Sequence, residues 1–424
     1  MQDLRKMYRD IQQDPFPREM IIKLGDQEIK MRKRTWTVQD QERGLRYGEN
    51  PDQPAAMYEP ADGAIELAGV RFKGPGQGLV SAINEADMLQ SGKHPGKINL
   101  TDVDNGINIL QYLHKKTAAV ILKHNNPSGA AWSNQGVLDA VNKAYLSDRI
   151  AAFGGAVVLN RAVDLPGAEF LADNYLEVVA APDFDPGALE KLKARKNLRI
   201  IKISALGRLE EFTDYPFLDI KSLQDGGLII QFSFTNRIRE PEDFLPAQAQ
   251  AGDEVVSARH PDPREMDDLI FAWAVEAGVT SNSVLFARDG RTLSIGTGEQ
   301  DRVGCVDLTI HKAYTKYVDL EIFNQSGQSI YQVQEQAEND AGSRELLESV
   351  QEKARRNRAD LPGAVMVSDG FFPFRDGVDL ALKQGITAIA QPGGSMRDNE
   401  VIQAVNEAVP QAAMVFTGQR SFKH

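Results

Sequence analysis

The stretch 118-AAVILKHNNPSGAA-131 opens with five apolar residues and closes with a sharp polar turn. A short apolar run that ends in turn residues is typical of a strand buried on both faces, here over 118–124. Similar runs predict further strands, and helical patterns lie between them. This alternation predicts an α/β protein. The further strands are expected at 152–159, 198–203, 284–288, 364–369 and 387–391.

One hairpin is visible in the sequence. The runs 284-VLFAR-288 and 291-RTLSIG-296 are separated only by Asp289 and Gly290. An Asp-Gly pair between two apolar runs favours a tight two-residue turn, because both central positions need a positive φ angle. We therefore expect two antiparallel strands here.

The clearest helix is expected to begin at Ser395, since Ser395 and Asp398 have the spacing of a capping box. A turn at 392–394 leads into it, and unpaired N–H groups at a helix start can bind an anion or a polar ligand. An ordinary strand-to-helix connection is the alternative. The apolar stripe of this helix consists of Val401, Ile402, Val405 and Val409.

Length and composition exclude several classes of protein. A chain of 424 residues is long enough for two or three packed units. No apolar run approaches the length of a membrane span, and the charged first residues lack the apolar segment of a secretory signal. Cys305 is the single cysteine, so no disulfide forms within the chain and we expect a cytoplasmic protein. A net charge of −12 disfavours nucleic acid and anionic membranes as partners.

Prolines and acidic residues accumulate over 205–265, where we place a domain boundary or a long crossover. The organisation expected is an N-terminal extension over 1–44 and two α/β domains over 45–235 and 236–424. The polar stretch 333–361 favours a solvated helical insertion rather than a site.

Two loops carry residues suited to chemistry. In 123-KHNNPSGAA-131, Lys123 supplies a cation and His124 a group that titrates near neutrality, at the C-terminal end of a predicted strand. A structural histidine beside an exposed lysine is the alternative. In 45-LRYGENPDQPA-55, Arg46 and Tyr47 could hold a phosphate, or could cap a helix and pack in a loop.

Two further stretches are notable. In 368-SDGFFPFRDGVD-379, three phenylalanines crowd a turn, which suits a flat heteroaromatic ligand, although aromatic residues are commoner in cores. At the C-terminus, Arg420, Phe422 and His424 alternate, so an extended chain would direct all three to one side. Terminal tails are usually frayed, which is the alternative here.

Taken together, these motifs resemble AICAR transformylase, which acts on the ribonucleotide of 5-aminoimidazole-4-carboxamide (AICAR). The resemblance spans about Leu45 to His424. It implies two cytidine-deaminase-like domains, a homodimer with shared sites, the substrates AICAR and 10-formyltetrahydrofolate, and no zinc or other metal. The motifs occur in the family's order: LRYGENPDQP, KHNNPSGA, DRIAAFGGAVVLN, TSNSV, GTGEQDRV, SDGFFPFRD, QPGGS and RSFKH.

The resemblance also implies roles for single residues. His124 matches the general base, Lys123 the cation at the oxyanion, and Asn282 the residue that orients the reacting groups. The implied nucleotide contacts are Arg46, Tyr47 and Arg420 at the phosphate, Asp183 at the ribose, Arg302 and Phe371 around the carboxamide, and Gly154. The implied folate pocket contains Val303, Asp376 and Ser395, with Phe422 and His424 closing the site.

The sequence departs from the family pattern in three places. Gly377 stands where some relatives carry a larger polar residue, and the ending RSFKH differs from the commoner RxFRH or RLFHH. Only 44 residues precede LRYG, where bifunctional relatives have a cyclohydrolase domain. We therefore expect a formyltransferase without cyclohydrolase activity, and a separate cyclohydrolase in the pathway.

Three other functions fit the sequence less well, and the first of them is rejected. A zinc hydrolase of the deaminase type needs more cysteines than one, together with an HxE motif that the sequence lacks. A catalytically silent purine-nucleotide-binding or regulatory protein is disfavoured by the joint presence of Lys123, His124 and Asn282. An enzyme that draws the formyl group from formate and ATP is weakened by the lack of a phosphate-loop motif.

Overall fold

The computed structural model describes residues 10–424 except 12, 39, 62–65, 68, 72–77 and 252. Residues 1–9 of the predicted N-terminal extension therefore lie outside the described part. The strands are β1 Glu19–Leu24, β2 Gln27–Arg34, β3 Trp36–Val38, β4 Gln41–Arg43, β5 Met57–Pro60, β6 Glu66–Leu67, β7 Val70–Arg71, β8 Met88–Gln90, β9 Thr117–Lys123, β10 Asn126–Ser133, β11 Ala156–Leu159, β12 Val178–Ala181, β13 Arg199–Lys202, β14 Leu218–Ser222, β15 Leu228–Phe232, β16 Leu245–Pro246, β17 Gln248–Ala251, β18 Asp253–Val256, β19 Val284–Arg288, β20 Arg291–Gly296, β21 Val365–Ser368, β22 Ala388–Gln391 and β23 Ala413–Phe416.

The helices are α1 Lys97–Leu110, α2 Val137–Ser147, α3 Arg149–Ala152, α4 Leu165–Asp173, α5 Pro186–Lys193, α6 Pro263–Glu276, α7 Arg302–Ser326, α8 Ile330–Gln336, α9 Ala341–Arg356, α10 Asp376–Lys383 and α11 Asp398–Glu407. Short 3-10 segments lie at Val80–Ala82, Ser204–Phe212, Pro241–Asp243 and Arg358–Asp360. The mixture of strands and helices confirms the predicted α/β class.

The chain divides into two compact units. The first contains residues 1–125, 134–141 and 154–235, and the second contains residues 126–133, 142–153 and 236–424. The strand β10 and the segment 142–153 therefore belong to the second unit, although residues of the first unit lie on either side of them in the sequence.

In the first unit, β9 pairs antiparallel with β11, the strands β11, β12 and β13 run parallel, and β8 closes the edge antiparallel to β13. The side chains of residues 118–122 in β9 and 156–159 in β11 are buried, as expected for strands covered on both faces. Helix α1 packs on β9 and β11. A Cβ atom at Gly106 of α1 would lie 2.6 Å from Val158, so glycine is needed for this close approach.

In the second unit, β19 pairs antiparallel with both β20 and β21, the strands β21, β22 and β23 run parallel, and β16 closes the edge antiparallel to β23. β20 also pairs antiparallel with β10. The core between this sheet and its helices includes Phe286, Val306, Met366, Phe372 and Ile402.

The two units repeat one order of elements. An edge strand (β8 or β16) precedes a helix of 14 residues (α1 or α6), with the β17–β18 hairpin between them in the second unit only, and a strand and a two-residue turn come next. Three parallel strands complete each series. The predicted likeness of both units to cytidine deaminase stays a prediction.

The predicted hairpin is confirmed, with Asp289 and Gly290 at φ 54° and 68°. The expected strand over 152–159 is shorter than predicted, because Asp148 caps α3, which extends to Ala152, and the strand starts only at Ala156. The polar stretch 333–361 is largely helical, as expected.

The helix expected from Ser395 starts three residues later. The carboxylate of Asp398 accepts hydrogen bonds from the N–H groups of Gly394 and Ser395, so Asp398 orders the turn and α11 begins there. Val401, Ile402 and Val405 are buried, but the helix ends before Val409, which is 97% exposed. The predicted stripe was therefore wrong at its last member, because Pro410 follows Val409 and disfavours helical backbone there.

Within the described residues, no helix is both long and apolar enough to cross a membrane. The same part of the chain contains no cluster of three or more His, Cys, Asp or Glu side chains that could hold a metal ion.

Candidate active site

The Lys-His pair of the first unit lies at a two-residue turn. Lys123 is the last residue of β9, and His124 and Asn125 follow with φ angles of 54° and 61°. Asn125 donates its backbone N–H to Asp102 Oδ1 at 2.6 Å, and Asn105 Nδ2 donates to the Asn125 carbonyl at 2.8 Å. The turn is thus held by α1, and it leaves the His124 side chain exposed at the C-terminal end of a buried strand.

Arg46 and Tyr47 form a second feature of the first unit. The Arg46 guanidinium donates to the Tyr47 hydroxyl at 2.8 Å and lies 4.5 Å from the centre of its ring. Arg46 is only 6% exposed, and its Nε atom has no hydrogen-bond partner among the described residues. A buried guanidinium with an unused donor is suited to an anionic ligand.

A second buried guanidinium, Arg199, stands near Arg46 and was missed from the sequence. Burial and the positive charge of Arg46 lower the pKa of Arg199 to about 10. Its counter-ion is Glu177, at 3.3 Å, and its Nε is also without a partner in the described part of the chain. Two buried guanidiniums therefore lie in this part of the unit, and Glu177 is paired with Arg199, so the excess positive charge favours an anion. The sequence feature that could have indicated Arg199 is the presence of an arginine inside the apolar run 198-LRIIKI-203.

Gly154 and Asp183 occupy different surroundings. Gly154 has φ 76° and donates its N–H to the Tyr175 carbonyl at 2.8 Å. Asp183 pairs with Lys202 at 2.8 Å, and this bond, together with one from the Phe184 N–H, lowers the pKa of its carboxyl group. Asp183 is exposed and ionised, which suits contact with a ligand hydroxyl.

In the second unit, Asn282 is held from several sides. Arg302 donates to Asn282 Oδ1 at 2.9 Å, and the Asn282 backbone N–H donates to the Glu299 carbonyl at 3.2 Å. Asn126 Oδ1 accepts from the Thr280 N–H at 2.9 Å, which ties the same segment to the start of β10. The Asn282 side chain therefore has a defined orientation.

Arg302 is 9% exposed, and its guanidinium donates several hydrogen bonds within the protein. Besides Asn282, it donates to the Ser283 carbonyl, to Ser368 Oγ and to the Asp369 carboxylate. Asp369 also accepts from Ser281 Oγ. This buried network supports the segment around Asn282, and only a small part of Arg302 remains for a ligand.

Glu276 completes the network from α6 and was also missed from the sequence. It is fully buried, and Ser283 Oγ donates to its Oε1 at 2.8 Å. Burial, together with the negative charge of Asp369, raises the pKa of Glu276 well above its usual value. Folding therefore favours the protonated, neutral form of Glu276.

The C-terminal tail is ordered against the same unit. The Ser421 N–H donates to the Asp369 carbonyl at 3.0 Å, and the Ser281 N–H donates to the Lys423 carbonyl at 2.9 Å. Arg420 lies 5.3 Å from the ring centre of Phe371 and 5.7 Å from that of Phe422.

The alternation expected for this tail is observed. Arg420, Phe422 and His424 are exposed, and Ser421 between the first two is buried. The rings of Phe422 and His424 are 6.1 Å apart, so these side chains share one side. A Cβ atom at Gly370 would lie 2.5 Å from the Arg302 guanidinium and 2.9 Å from the Phe422 ring, so a larger residue here would displace these side chains.

The remaining residues expected at the folate pocket lie at helix starts. Val303 is in the first turn of α7, Asp376 is the first residue of α10, and Ser395 precedes α11. Asp376 is exposed and accepts from the Gly377 N–H at 2.8 Å. Gly377 itself is buried against Phe372 and Val306.

Comparison with known proteins gives the family. The family described as "AICARFT/IMPCHase bienzyme" matches residues 17–312. The chain belongs to this family. The matched range contains Arg46, Lys123, His124, Asn282 and Arg302.

Several curated relatives are named bifunctional purine biosynthesis protein PurH. The protein of Persephonella marina is 38% identical over 381 residues, which cover 90% of this chain and 59% of the relative. Those of Caldicellulosiruptor saccharolyticus and Aquifex aeolicus are 37% and 36% identical over 380 residues, with the same two coverages. The chain thus spans about three-fifths of the length of these relatives.

The family assignment confirms the resemblance to the transformylase family. It does not support the prediction of a formyltransferase without cyclohydrolase activity. The names of the relatives describe bifunctional proteins. The expected lack of cyclohydrolase activity, and the separate cyclohydrolase that follows from it, therefore stay predictions.

Proposed function

We propose that the protein transfers a formyl group from 10-formyltetrahydrofolate to the 5-amino group of AICAR, giving formyl-AICAR and tetrahydrofolate. The observation that carries the proposal is the family match over residues 17–312, within which the chain keeps Lys123, His124 and Asn282. Purine biosynthesis, the process named for the relatives, is where we place this reaction.

The reaction requires one proton to change place. The amine nitrogen of AICAR attacks the formyl carbon, and a tetrahedral intermediate forms with a negatively charged oxygen. The bond from this carbon to the folate N10 then breaks, and the proton lost by the amine is balanced by the proton gained at N10. Because the amine lone pair is delocalised into the ring, proton transfer and orientation must supply much of the rate enhancement.

Three residues are assigned to these steps. His124 accepts the amine proton, and its exposed position at the end of β9 suits contact with substrate. Lys123 supplies positive charge for the oxyanion and for the departing nitrogen. Asn282 orients the formyl group by means of its side-chain amide, which Arg302 holds in place.

The substrate contacts follow the same proposal. The buried charge of Arg46, with Tyr47, supports a phosphate site in the first unit, and the exposed Arg420 supplies a further phosphate contact. We assign the ribose to Asp183, the carboxamide surroundings to Arg302 and Phe371, and a backbone contact to Gly154. The folate contacts proposed are Val303, Asp376, Ser395, Phe422 and His424.

We further infer a cytoplasmic homodimer built from two deaminase-like units per chain, as the resemblance implies. Light scattering at the assay concentration measures the oligomeric state. An active monomer would contradict the proposal of shared sites.

The test of function is release of tetrahydrofolate, followed by absorbance, in the presence of AICAR and 10-formyltetrahydrofolate. We expect release only when both are present, and loss of most turnover in His124→Ala and Lys123→Ala with AICAR binding retained. A protein that binds AICAR but releases no tetrahydrofolate would instead be a silent nucleotide-binding relative. Release supported by formate and ATP would assign a different formyl donor.

A further inference from the structure

The turn that carries His124 has a counterpart in the second unit. Asp102 is the sixth residue of α1, and Asp268 is the sixth residue of α6. Asp268 Oδ1 accepts from the Gly290 N–H at 2.8 Å, just as Asp102 Oδ1 accepts from the Asn125 N–H at 2.6 Å. Each aspartate is buried and holds a two-residue turn that follows a central strand.

The two turns share a backbone conformation but not a sequence. In the second unit the residues are Asp289 and Gly290, with φ 54° and 68°. In the first unit they are His124 and Asn125, with φ 54° and 61°. The left-handed region is open to glycine but costs free energy for histidine and asparagine, so the first unit keeps this conformation without the usual residue.

The first unit adds a contact that offsets this cost. Besides the bond from Asn125 to Asp102, Asn105 Nδ2 donates to the Asn125 carbonyl at 2.8 Å. Both partners come from one face of α1, three residues apart. Both polar groups of the Asn125 backbone are therefore fixed by the same helix, directly after His124.

We propose that Asp102 and Asn105 are positioning residues for His124, which hold its turn in the left-handed conformation that directs the imidazole toward substrate. This inference rests on the proposed role of His124 in formyl transfer. Strained backbone conformations persist only where neighbouring groups hold them, and they are concentrated at active sites. Each residue bonds to the backbone of Asn125, so each acts on His124 through the turn.

The kinetic test compares Asp102→Ala, Asp102→Asn and Asn105→Ala with wild type. Asp102→Ala is expected to lower kcat at least about 10-fold while the Kd of AICAR stays unchanged, because only the position of the base is lost. Asp102→Asn keeps an oxygen that accepts from the Asn125 N–H, so it should retain most of kcat. Asn105→Ala should also lower kcat. It replaces Asp102→Ala in the test if Asp102→Ala does not fold.

Asp268→Ala is the control, because it removes the equivalent bond from a turn without His124, together with the bonds from the Asp289 N–H and from Arg264. It should lower the melting temperature while kcat per folded molecule stays at the wild-type value. Wild-type kcat in Asp102→Ala, or a loss of kcat in Asp268→Ala as large as in Asp102→Ala, would overturn the proposal.

A second measurement does not depend on activity. The ring proton signals of the six histidines can be resolved by NMR, and His124→Gln identifies one of them. The His124 signal should move in Asp102→Ala and Asn105→Ala and stay in place in Asp268→Ala. A signal that does not move overturns the inference. A signal that moves in a protein without formyl transfer upholds the positioning role and rejects the proposed reaction.

Discussion

The guanidinium of Arg302 donates a hydrogen bond to the side-chain oxygen of Asn282 at 2.9 Å. Because arginine can only donate, the bond fixes which end of the amide is the oxygen. The Nδ2 group of Asn282 is therefore directed away from Arg302. In the proposed reaction it is available as a donor to the formyl oxygen.

This orientation predicts the behaviour of Asn282→Asp. The variant has nearly the same shape but replaces the donor with an acceptor, so kcat should fall about 100-fold, as when one oxyanion donor is removed. Steady-state kinetics with AICAR and 10-formyltetrahydrofolate measure it, with Asn406→Asp in α11 as the control. Activity close to wild type in Asn282→Asp would mean that the Nδ2 donor has no part in the reaction.

A second prediction concerns stability and pH. The pKa of Glu276 is raised in the folded state by burial and by Asp369, while Ser283 and Arg302 act in the opposite direction. The Glu276 carboxyl group therefore binds its proton more tightly in the folded protein than in the unfolded chain, where its pKa is about 4.3. The stability that this proton contributes is full below the unfolded pKa. It is lost as pH rises through the folded pKa, by at most about 1.4 kcal/mol per pH unit.

The measurement is the free energy of unfolding of wild type minus that of Glu276→Gln, from denaturant titrations at several pH values. Glutamine keeps an acceptor for Ser283 Oγ and cannot ionise. The difference should fall as pH rises above the unfolded pKa. A difference that is constant with pH would show that the pKa of Glu276 is the same in both states.

The sequence predicted the central strands well, because their burial on both faces leaves continuous apolar runs such as 118–124. It also predicted the turn at Asp289 and Gly290, whose residue types are specific to that geometry. It placed the start of α11 wrongly because the Ser395–Asp398 spacing resembles a capping box. In the structure the Asp398 carboxylate instead accepts from the N–H groups of the preceding glycine turn, and Arg397 is at the cap position.

For the candidate site, the exposed residues with distinctive chemistry could be named from motifs, and the buried groups that hold them could not. Asp102, Arg199 and Glu276 lie inside segments whose sequence is that of an ordinary helix or strand. Their roles depend on tertiary contacts, and a single sequence carries no direct signal of those contacts.

The single thiol gives a third prediction. Cys305 is inaccessible to solvent, and burial raises its pKa to about 12. Because the thiolate is the reactive form, native protein at pH 8 should remain unlabelled by a disulfide reagent such as dithiobisnitrobenzoate. Unfolded protein should react at one thiol per chain. Rapid labelling of the native protein would show that α7 opens near its start.

The last prediction concerns Arg420, whose guanidinium lies near the rings of Phe371 and Phe422. In the part of the chain that the structure describes, it has no carboxylate partner, so its charge is available to an anion. If it binds the phosphate of AICAR, Arg420→Ala loses a charge-assisted contact of about 1.5–3 kcal/mol, or about 10- to 150-fold in Kd.

Calorimetry with AICAR and with its nucleoside, which lacks the phosphate, separates this role from a general effect on the tail. Arg420→Ala should weaken binding of the nucleotide and leave binding of the nucleoside unchanged. Arg208→Ala is a matched control, since Arg208 is also an exposed arginine near an aromatic ring, that of Phe212. Point substitution is preferable to deleting residues 420–424, because the carbonyl of Lys423 accepts from the Ser281 N–H beside Asn282. Equal losses of affinity for nucleotide and nucleoside would show that Arg420 does not bind the phosphate and instead packs between two rings.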